Sequence, residues 1–87
     1  MLLNIRVPIY DQKDLIGTAF KEFETDIQPF LELSLQDDAW EGTRKINSMV
    51  ANINTDKIYV DLENYYIHNN EDFKSVRKNF ISNGWNL

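Results

Sequence analysis

The sequence predicts a small α+β domain in which one antiparallel sheet is covered on one face by two helices. Two observations lead to this fold class. Several segments alternate apolar and polar residues, as half-buried strands do, and two others repeat apolar residues at helical spacing. Their order is strand, helix, three strands, helix (β-α-β-β-β-α). Because 87 residues suffice for one hydrophobic core, residues 1–87 are predicted to form a single domain.

The first strand and first helix are predicted from alternation followed by a helix-start signal. Residues 3–9 alternate, and Pro8 favours a sheet edge or strand end because proline has no N–H for a ladder. Asp11 then suits a helix N-cap, and the helix should stop near Asp26 because Pro29 disfavours helical geometry before it. The apolar stripe of this helix comprises Leu15, Ile16, Ala19, Phe20, Phe23 and Ile27.

The middle of the chain predicts three strands. Residues 31–35 alternate and give the second strand. Residues 44–54 fit a helical face as well as an alternating strand, and the turn residues 54–57 favour the strand because they complete a hairpin. The next strand starts at Lys57 and extends toward His68. Its strongest alternation places Ile58, Val60 and Leu62 on one face and Tyr59, Asp61, Glu63 and Tyr65 on the other.

The end of the chain predicts a second helix. Asn69 and Asn70 suit an N-cap, and residues 83–84 (Asn-Gly) form a C-terminal stop. We expect the last residues, Trp85 and Leu87, to fold back onto the core. The buried face of the helix is predicted to consist of Phe73, Val76, Phe80 and Ile81.

Composition excludes several classes of protein. The chain has no cysteine, which excludes disulfide scaffolds and thiolate metal sites. It has no apolar run of roughly 18 residues, the length that spans a bilayer. Its first residues lack the basic and apolar regions of a signal peptide, so a cytoplasmic location is expected.

The charge is negative and uneven. The net charge is −5, and residues 22–41 contain seven acids without a Lys or Arg. Such a segment disfavours direct binding to nucleic-acid phosphates and suits a basic partner protein. The alternative is that the surplus charge only keeps the protein soluble.

Catalytic chemistry is not expected. His68 is the only histidine, and no Gly-rich phosphate loop is present. Asp61 and Glu63 would lie about 6.6 Å apart along a strand, a spacing compatible with a glycosidase pair. Such a pair needs a deep pocket and one raised carboxyl pKa. An exposed sheet face provides neither, so we predict that the protein is not an enzyme.

No metal or cofactor is predicted either. Asp37, Asp38 and Glu41 have oxygen ligands that suit Ca²⁺, but their spacing does not match a calcium loop. Trp40 lies among these acids and is the aromatic residue least easily explained by strand propensity. Tyr and Trp are enriched at binding hot spots, although Tyr also favours strands on its own. The predicted partner-binding residues are therefore Tyr59, Asp61, Glu63, Tyr65, Asp37, Asp38, Trp40 and Glu41.

These residues predict a small acidic protein-binding module. In its sharpest form the hypothesis is an inhibitor of phage or mobile-element type that blocks the basic surface of a nuclease or other nucleic-acid-handling enzyme. Carboxylates would then replace phosphates. One alternative is a structural protein that self-associates as a homodimer through an open sheet. A second alternative is an RNA- or ribosome-associated domain, which the overall charge disfavours. Its basic residues would be Arg6, Arg44, Lys45, Lys74, Arg77 and Lys78.

Overall fold

The computed structural model describes residues 2–87 and is mostly β-structure, with 48% strand and 12% helix. The described residues form one helix, and their sheet curls into a half-barrel. The predicted α+β class with two helices on one sheet face is therefore wrong. The elements are β1 (Leu2–Asp11), β2 (Asp14–Glu24), β3 (Ser34–Leu35), β4 (Arg44–Asn52), β5 (Lys57–Leu62), β6 (Tyr65–Tyr66) and α1 (Phe73–Ser82).

The sheet is mixed, which corrects the prediction of an antiparallel sheet. Its strand order is β2-β1-β5-β4-β3, and β6 also pairs with β1. β1 is antiparallel to β2 but parallel to β5 and β6. Since β1 is central, the edge position predicted from Pro8 is wrong. Pro8 instead lies between the two parallel partners, because that pairing ends at Arg6 with Asp61 and resumes at Ile9 with Tyr65.

The predicted first helix is also wrong, because its residues form β2. Asp11 and Asp14 close a tight β1–β2 hairpin, in which Gln12 adopts a left-handed φ of 56°. Aspartate suits both helix caps and turns, so the start signal was ambiguous. Pairing of β2 along nearly all of β1 satisfies its backbone groups and overrides the helical spacing. Ala19 is buried as predicted, whereas the adjacent Phe20 points outward and is 42% exposed.

The remaining strands follow the sequence more closely. The strand choice for residues 44–54 is confirmed by β4, and residues 53–56 form the turn that leads into β5. The predicted strand at 31–35 is reduced to β3. The last predicted strand is divided, since β5 ends at Leu62 and β6 begins at Tyr65, where pairing with β1 resumes with the register shifted by one residue.

α1 confirms the predicted second helix. Asp72, rather than Asn69 or Asn70, is its N-cap, because the Asp72 carboxylate accepts a hydrogen bond from the Ser75 backbone N–H at 2.8 Å. This bond also lowers the pKa of Asp72. Asn83 caps the C-terminus as predicted. No helix among residues 2–87 is long and apolar enough to cross a bilayer.

The core fills the concave side of the curled sheet, where α1 closes it. Val60 and Leu62 are fully buried and Ile58 packs beside them, which confirms the predicted apolar face of this strand. Trp85 is also buried, so the predicted fold-back of the chain end is confirmed. The buried apolar residues are Leu3, Ile5, Val7, Ile9, Ala19, Ala39, Ile46, Val60, Leu62, Val76, Phe80 and Trp85.

Gly84 allows the chain to reverse after α1, because its φ of 89° is unfavourable for other residues. We expect Gly84→Ala to lower the free energy of unfolding by about 1–2 kcal/mol, measured by urea denaturation. Lys78→Ala, at an exposed position of α1, is the control and should leave stability nearly unchanged. Equal stability of the two variants would show that the turn at Gly84 relaxes without strain.

Candidate partner-binding cleft

The structure contains an open cleft of about 470 Å³ where the loop before β4 meets β6 and α1. We call it the acidic cleft. Four of the eight predicted partner-binding residues line it: Asp38, Trp40, Glu41 and Tyr65. The other lining residues are Ala39, Arg44, His68, Asn70, Glu71 and Asn79.

The loop of the acidic cleft is held in place by Asp37. The Asp37 carboxylate accepts hydrogen bonds from the Trp85 indole N–H at 3.0 Å and from the Ala39 backbone N–H at 3.0 Å. It also forms an ion pair with Lys21 at 2.9 Å. Burial acts to raise the pKa of Asp37, but these hydrogen bonds outweigh it and lower the pKa. Asp37, predicted as a partner-binding residue, thus has its carboxylate bound within the protein.

Arg44 fixes the aromatic walls of the acidic cleft. Its guanidinium carbon lies 4.8 Å from the Tyr65 ring centre and 5.5 Å from that of Trp40, within cation–π distance of both. Nη1 of Arg44 also donates to the backbone carbonyl of Asn64 at 3.0 Å. Burial lowers the pKa of Arg44. The two rings are therefore positioned before any partner arrives.

Glu71 also holds Tyr65, one of these two aromatic walls. Its carboxylate accepts a hydrogen bond from the Tyr65 hydroxyl at 3.1 Å and another from the His68 backbone N–H at 3.0 Å. Burial and the neighbouring Glu71 charge raise the pKa of Tyr65. The Tyr65 ring also packs edge-on against Phe80, with centroids 5.7 Å apart, which connects this wall to the core.

The charge of the acidic cleft is negative. Three carboxylates (Asp38, Glu41 and Glu71) and one guanidinium (Arg44) give it a formal charge of −2. Asp38 and Glu41 are exposed, and neither forms an ion pair with the described residues.

Two buried donors belong to the same walls. The Trp40 indole N–H and the Arg44 Nε–H have no hydrogen-bond partner among residues 2–87. Buried polar groups are nearly always satisfied in native proteins, so each exception calls for an explanation. Both N–H groups are buried, whereas the carboxylates of Asp38 and Glu41 are exposed to a partner.

Tyr59 and Asp61 lie elsewhere, on the convex outer face of the sheet. Asp61 forms an ion pair with Arg6 at 3.0 Å and accepts a hydrogen bond from the Ser48 hydroxyl at 3.1 Å. The Arg6 guanidinium also lies 5.4 Å from the Tyr59 ring centre. Arg6 of the neighbouring strand β1 thus neutralises Asp61, in a set of residues that looks purely acidic and aromatic in sequence.

The predicted strand face of Tyr59, Asp61, Glu63 and Tyr65 is interrupted after β5. Glu63 follows the end of that strand, where its backbone N–H donates to the Lys45 carbonyl at 3.0 Å. Tyr65 then moves to β6 and packs against the core. The structure therefore brings Tyr65 together with Asp38, Trp40 and Glu41, and it separates Tyr65 from Tyr59.

Sequence reasoning missed Arg44 and Glu71 as parts of this site. Glu71 belonged to no predicted site, and Arg44 belonged only to the possible RNA-binding set. Three members of that set make internal contacts: Arg6 with Asp61, Arg44 with the aromatic walls, and Arg77, whose Nε donates to the Leu87 carbonyl at 3.2 Å. Three of these six basic side chains are therefore engaged within the protein.

A second cleft of about 310 Å³ adjoins the first, and Trp40 lines both. Its walls are largely apolar and include Phe23, Ile27 and Leu35. The described residues contain no group of three or more His, Cys, Asp or Glu placed to hold a metal ion.

Comparisons of the chain with protein-family models, with curated proteins and with solved structures each find no match.

Proposed function

We propose that the protein is a small acidic protein-binding module whose acidic cleft accepts a cationic side chain of a basic partner. The observation that supports this most directly is the pair of exposed carboxylates, Asp38 and Glu41, which lie beside Trp40 and form no ion pair within residues 2–87. A Lys or Arg side chain entering here would meet negative charge and an aromatic wall together. Both features favour cations.

The cleft is also preorganised. Arg44 holds Trp40 and Tyr65 by cation–π contacts, and Glu71 holds the Tyr65 hydroxyl. Walls that are already ordered lose little conformational entropy on binding, and this increases the affinity that a given set of contacts provides. Tyr and Trp in such positions are typical binding hot spots.

The partner class we propose is a nucleic-acid-handling enzyme, such as a nuclease, that the protein inhibits in the cytoplasm. Enzymes of this class carry cationic grooves for phosphates. The acidic segment at residues 22–41 and the net charge of −5 would steer the module toward such a groove. Asp38 and Glu41 would then occupy positions that phosphates normally take.

The proposal predicts that the double variant Asp38→Asn with Glu41→Gln binds cationic ligands less well. The probe is a peptide of alternating Arg and Gly, and binding is measured by isothermal titration calorimetry. We expect at least about a tenfold loss of affinity, because two charge-assisted contacts are removed. Wild-type binding should also weaken as salt is added.

The matched control is the double variant Asp26→Asn with Glu32→Gln. It removes the same formal charge from exposed positions outside the acidic cleft, so its affinity should stay within about twofold of wild type. Equal losses in both double variants would show that only overall charge matters and would contradict a specific site.

The enzyme-inhibitor form of the proposal has its own test. Basic ribonucleases and deoxyribonucleases are assayed for inhibition by the wild-type protein, with a competing oligonucleotide added. A nucleic-acid-mimicking inhibitor must be displaced by the oligonucleotide. Binding that survives saturating oligonucleotide would support a protein-binding module and rule out the mimic.

A further inference from the structure

We propose that the partner presents an aromatic side chain two residues away from its cationic one, and that the second cleft binds this aromatic side chain. The inference rests on the proposed function, because it extends the site that accepts the cation. We call the second cleft the apolar cleft. It has a volume of about 310 Å³, and Trp40 is a wall of both this cleft and the acidic cleft.

The apolar cleft suits an uncharged ring. Its walls include Phe23, Leu35 and Trp85, and aromatic rings pack favourably against other rings in offset or edge-on arrangements. The charged side chains among the described residues that line it are Lys21 and Asp37, which form an ion pair with each other at 2.9 Å. Because the two charges neutralise each other, this cleft does not select a cation, in contrast to the acidic cleft.

The apolar cleft also has apolar surface that a partner would cover. Ile27 lines it and is 54% exposed, beside the half-buried Phe23 and Leu35. Removing such surface from water is favourable roughly in proportion to the area buried. The volume of the cleft lies at the lower end of the range that is typical of ligand sites. One large side chain is therefore a fitting occupant.

Trp40 connects the two clefts and thereby limits the spacing of the two side chains. Its ring centre lies 5.5 Å from the guanidinium carbon of Arg44, in the acidic cleft, and 5.5 Å from the ring centre of Trp85, in the apolar cleft. Two groups that contact one ring from its two sides lie about 7–8 Å apart, which is twice the contact distance of carbon atoms. In an extended chain, residues i and i+2 point the same way and lie about 6.4–6.8 Å apart. One extended segment of the partner therefore supplies both side chains.

This pair of side chains narrows the class of partner. Grooves that bind single-stranded nucleic acids combine cationic groups with aromatic side chains on which the bases stack. Contacts to phosphates alone need only the cations. The two clefts together therefore match the single-strand-binding surface of a nucleic-acid-handling enzyme, and we expect the protein to cover that surface.

The first test compares two peptides with blocked ends, Phe-Gly-Arg-Gly-Phe and Ala-Gly-Arg-Gly-Ala, in nuclear magnetic resonance titrations of the wild-type protein. Arg is the only charged residue in each, and Phe on both sides of it makes the result independent of chain direction. The Phe peptide should bind at least about tenfold more tightly, because burial of a large apolar side chain increases affinity by at least that factor. Equal affinities would overturn the inference and leave the acidic cleft as the cation site.

The second test uses two matched variants, Ile27→Asn and Leu31→Asn. Ile27 is 54% exposed and Leu31 is 56% exposed, but Leu31 lines neither cleft. Ile27→Asn should bind the Phe peptide at least about threefold less tightly and leave the Ala peptide unchanged, because it removes only apolar wall. Leu31→Asn should bind both peptides like wild type. Equal losses in the two variants would contradict a role for the apolar cleft.

The same titrations distinguish failure of this inference from failure of the proposed function. The double variant Asp38→Asn with Glu41→Gln should bind both peptides less well, since both depend on the acidic cleft for Arg. If this double variant binds both peptides like wild type, the proposed function fails. If it weakens both peptides but wild type does not prefer Phe, only the present inference fails.

Nuclear Overhauser contacts locate the bound Phe ring directly. We expect contacts from its protons to the methyl groups of Ile27 and Leu35, both of which line the apolar cleft. A Phe ring that stacks in the acidic cleft would instead contact Tyr65. Contacts to Tyr65 without contacts to Leu35 would overturn the inference even if the Phe peptide binds more tightly.

Discussion

Replacing Phe80 by Ala is expected to destabilise the protein by about 3–5 kcal/mol, the largest effect of any substitution considered. Phe80 is fully buried. Its ring contacts the rings of Trp85, Tyr65 and Trp40, with centroids 5.6, 5.7 and 6.3 Å away. Removing it leaves a cavity where α1 closes the half-barrel. Small domains have little stability to lose, so much of the protein should be unfolded at 37 °C.

The measurement is urea denaturation followed by circular dichroism. Ile81→Ala is the control, because Ile81 is the next residue of α1 and is 44% exposed. It should cost much less than Phe80→Ala. A loss below about 1.5 kcal/mol for Phe80→Ala would mean that the neighbouring rings collapse into the space. The core would then be less rigidly packed than the structure indicates.

Asp37→Ala is expected to cost roughly 2–4 kcal/mol, because it removes several interactions together. The Trp85 indole N–H and the Ala39 backbone N–H lose their acceptor, and Lys21 loses its ion pair. These contacts join β2, the loop before β4 and the chain end. Asp38→Ala is the matched control, because Asp38 is the next residue, is exposed and makes none of the contacts of Asp37. It should change the free energy of unfolding by less than about 0.5 kcal/mol.

Asp37 should also give the protein a specific pH dependence. Its pKa is lower in the folded protein than its ordinary value, so the unfolded chain binds the proton more readily. The stability that Asp37 contributes is therefore present above the ordinary aspartate pKa. It is lost as the pH falls through the lowered folded-state pKa.

The pH dependence is measured by urea denaturation between neutral pH and the acid range. Asp37→Asn should show a smaller loss of stability on acidification than wild type. Parallel pH profiles for the two proteins would contradict this assignment. The remaining acid sensitivity should come from other paired carboxylates such as Glu22, whose pKa is lowered chiefly by its hydrogen bond from Lys57.

Local signals predicted the elements whose structure depends on neighbours in sequence. The β4–β5 hairpin followed from turn residues between two alternating segments. α1 and its C-terminal stop followed from helical spacing that ends at Asn83 and Gly84. The buried face of β5 followed from the alternation of Ile58, Val60 and Leu62. In each case a short stretch of chain contains the determining information.

The elements that depend on distant residues were not predictable in this way. Residues 14–24 satisfy both a helical stripe and a strand, and the deciding partner is β1. The parallel pairing of β1 with β5 joins residues more than fifty positions apart, for which the sequence has no local signal. The curl of the sheet depends on this pairing, so the half-barrel could not be predicted either.

The candidate site was likewise predictable only where its residues are close in sequence. Asp38, Trp40 and Glu41 are close in sequence, and their clustering could be predicted. Tyr65 reaches them because the pairing with β1 shifts by one residue between Asp61 and Tyr65, and Tyr65 then packs against the core. The pairing of Asp61 with Arg6 depends on the parallel register of β5 with β1, so this ion pair could not be predicted from the sequence.

The central position of β1 has a consequence for how the protein is made. Ribosomes release β1 first, yet one of its two neighbours in the sheet is β5, which emerges about fifty residues later. During synthesis the side of β1 that pairs with β5 must therefore remain unpaired until β5 has emerged. Long-range pairing of this kind is slow to form and leaves chains open to aggregation. The yield of folded protein should accordingly depend on how quickly translation delivers residues 57–62 to that edge.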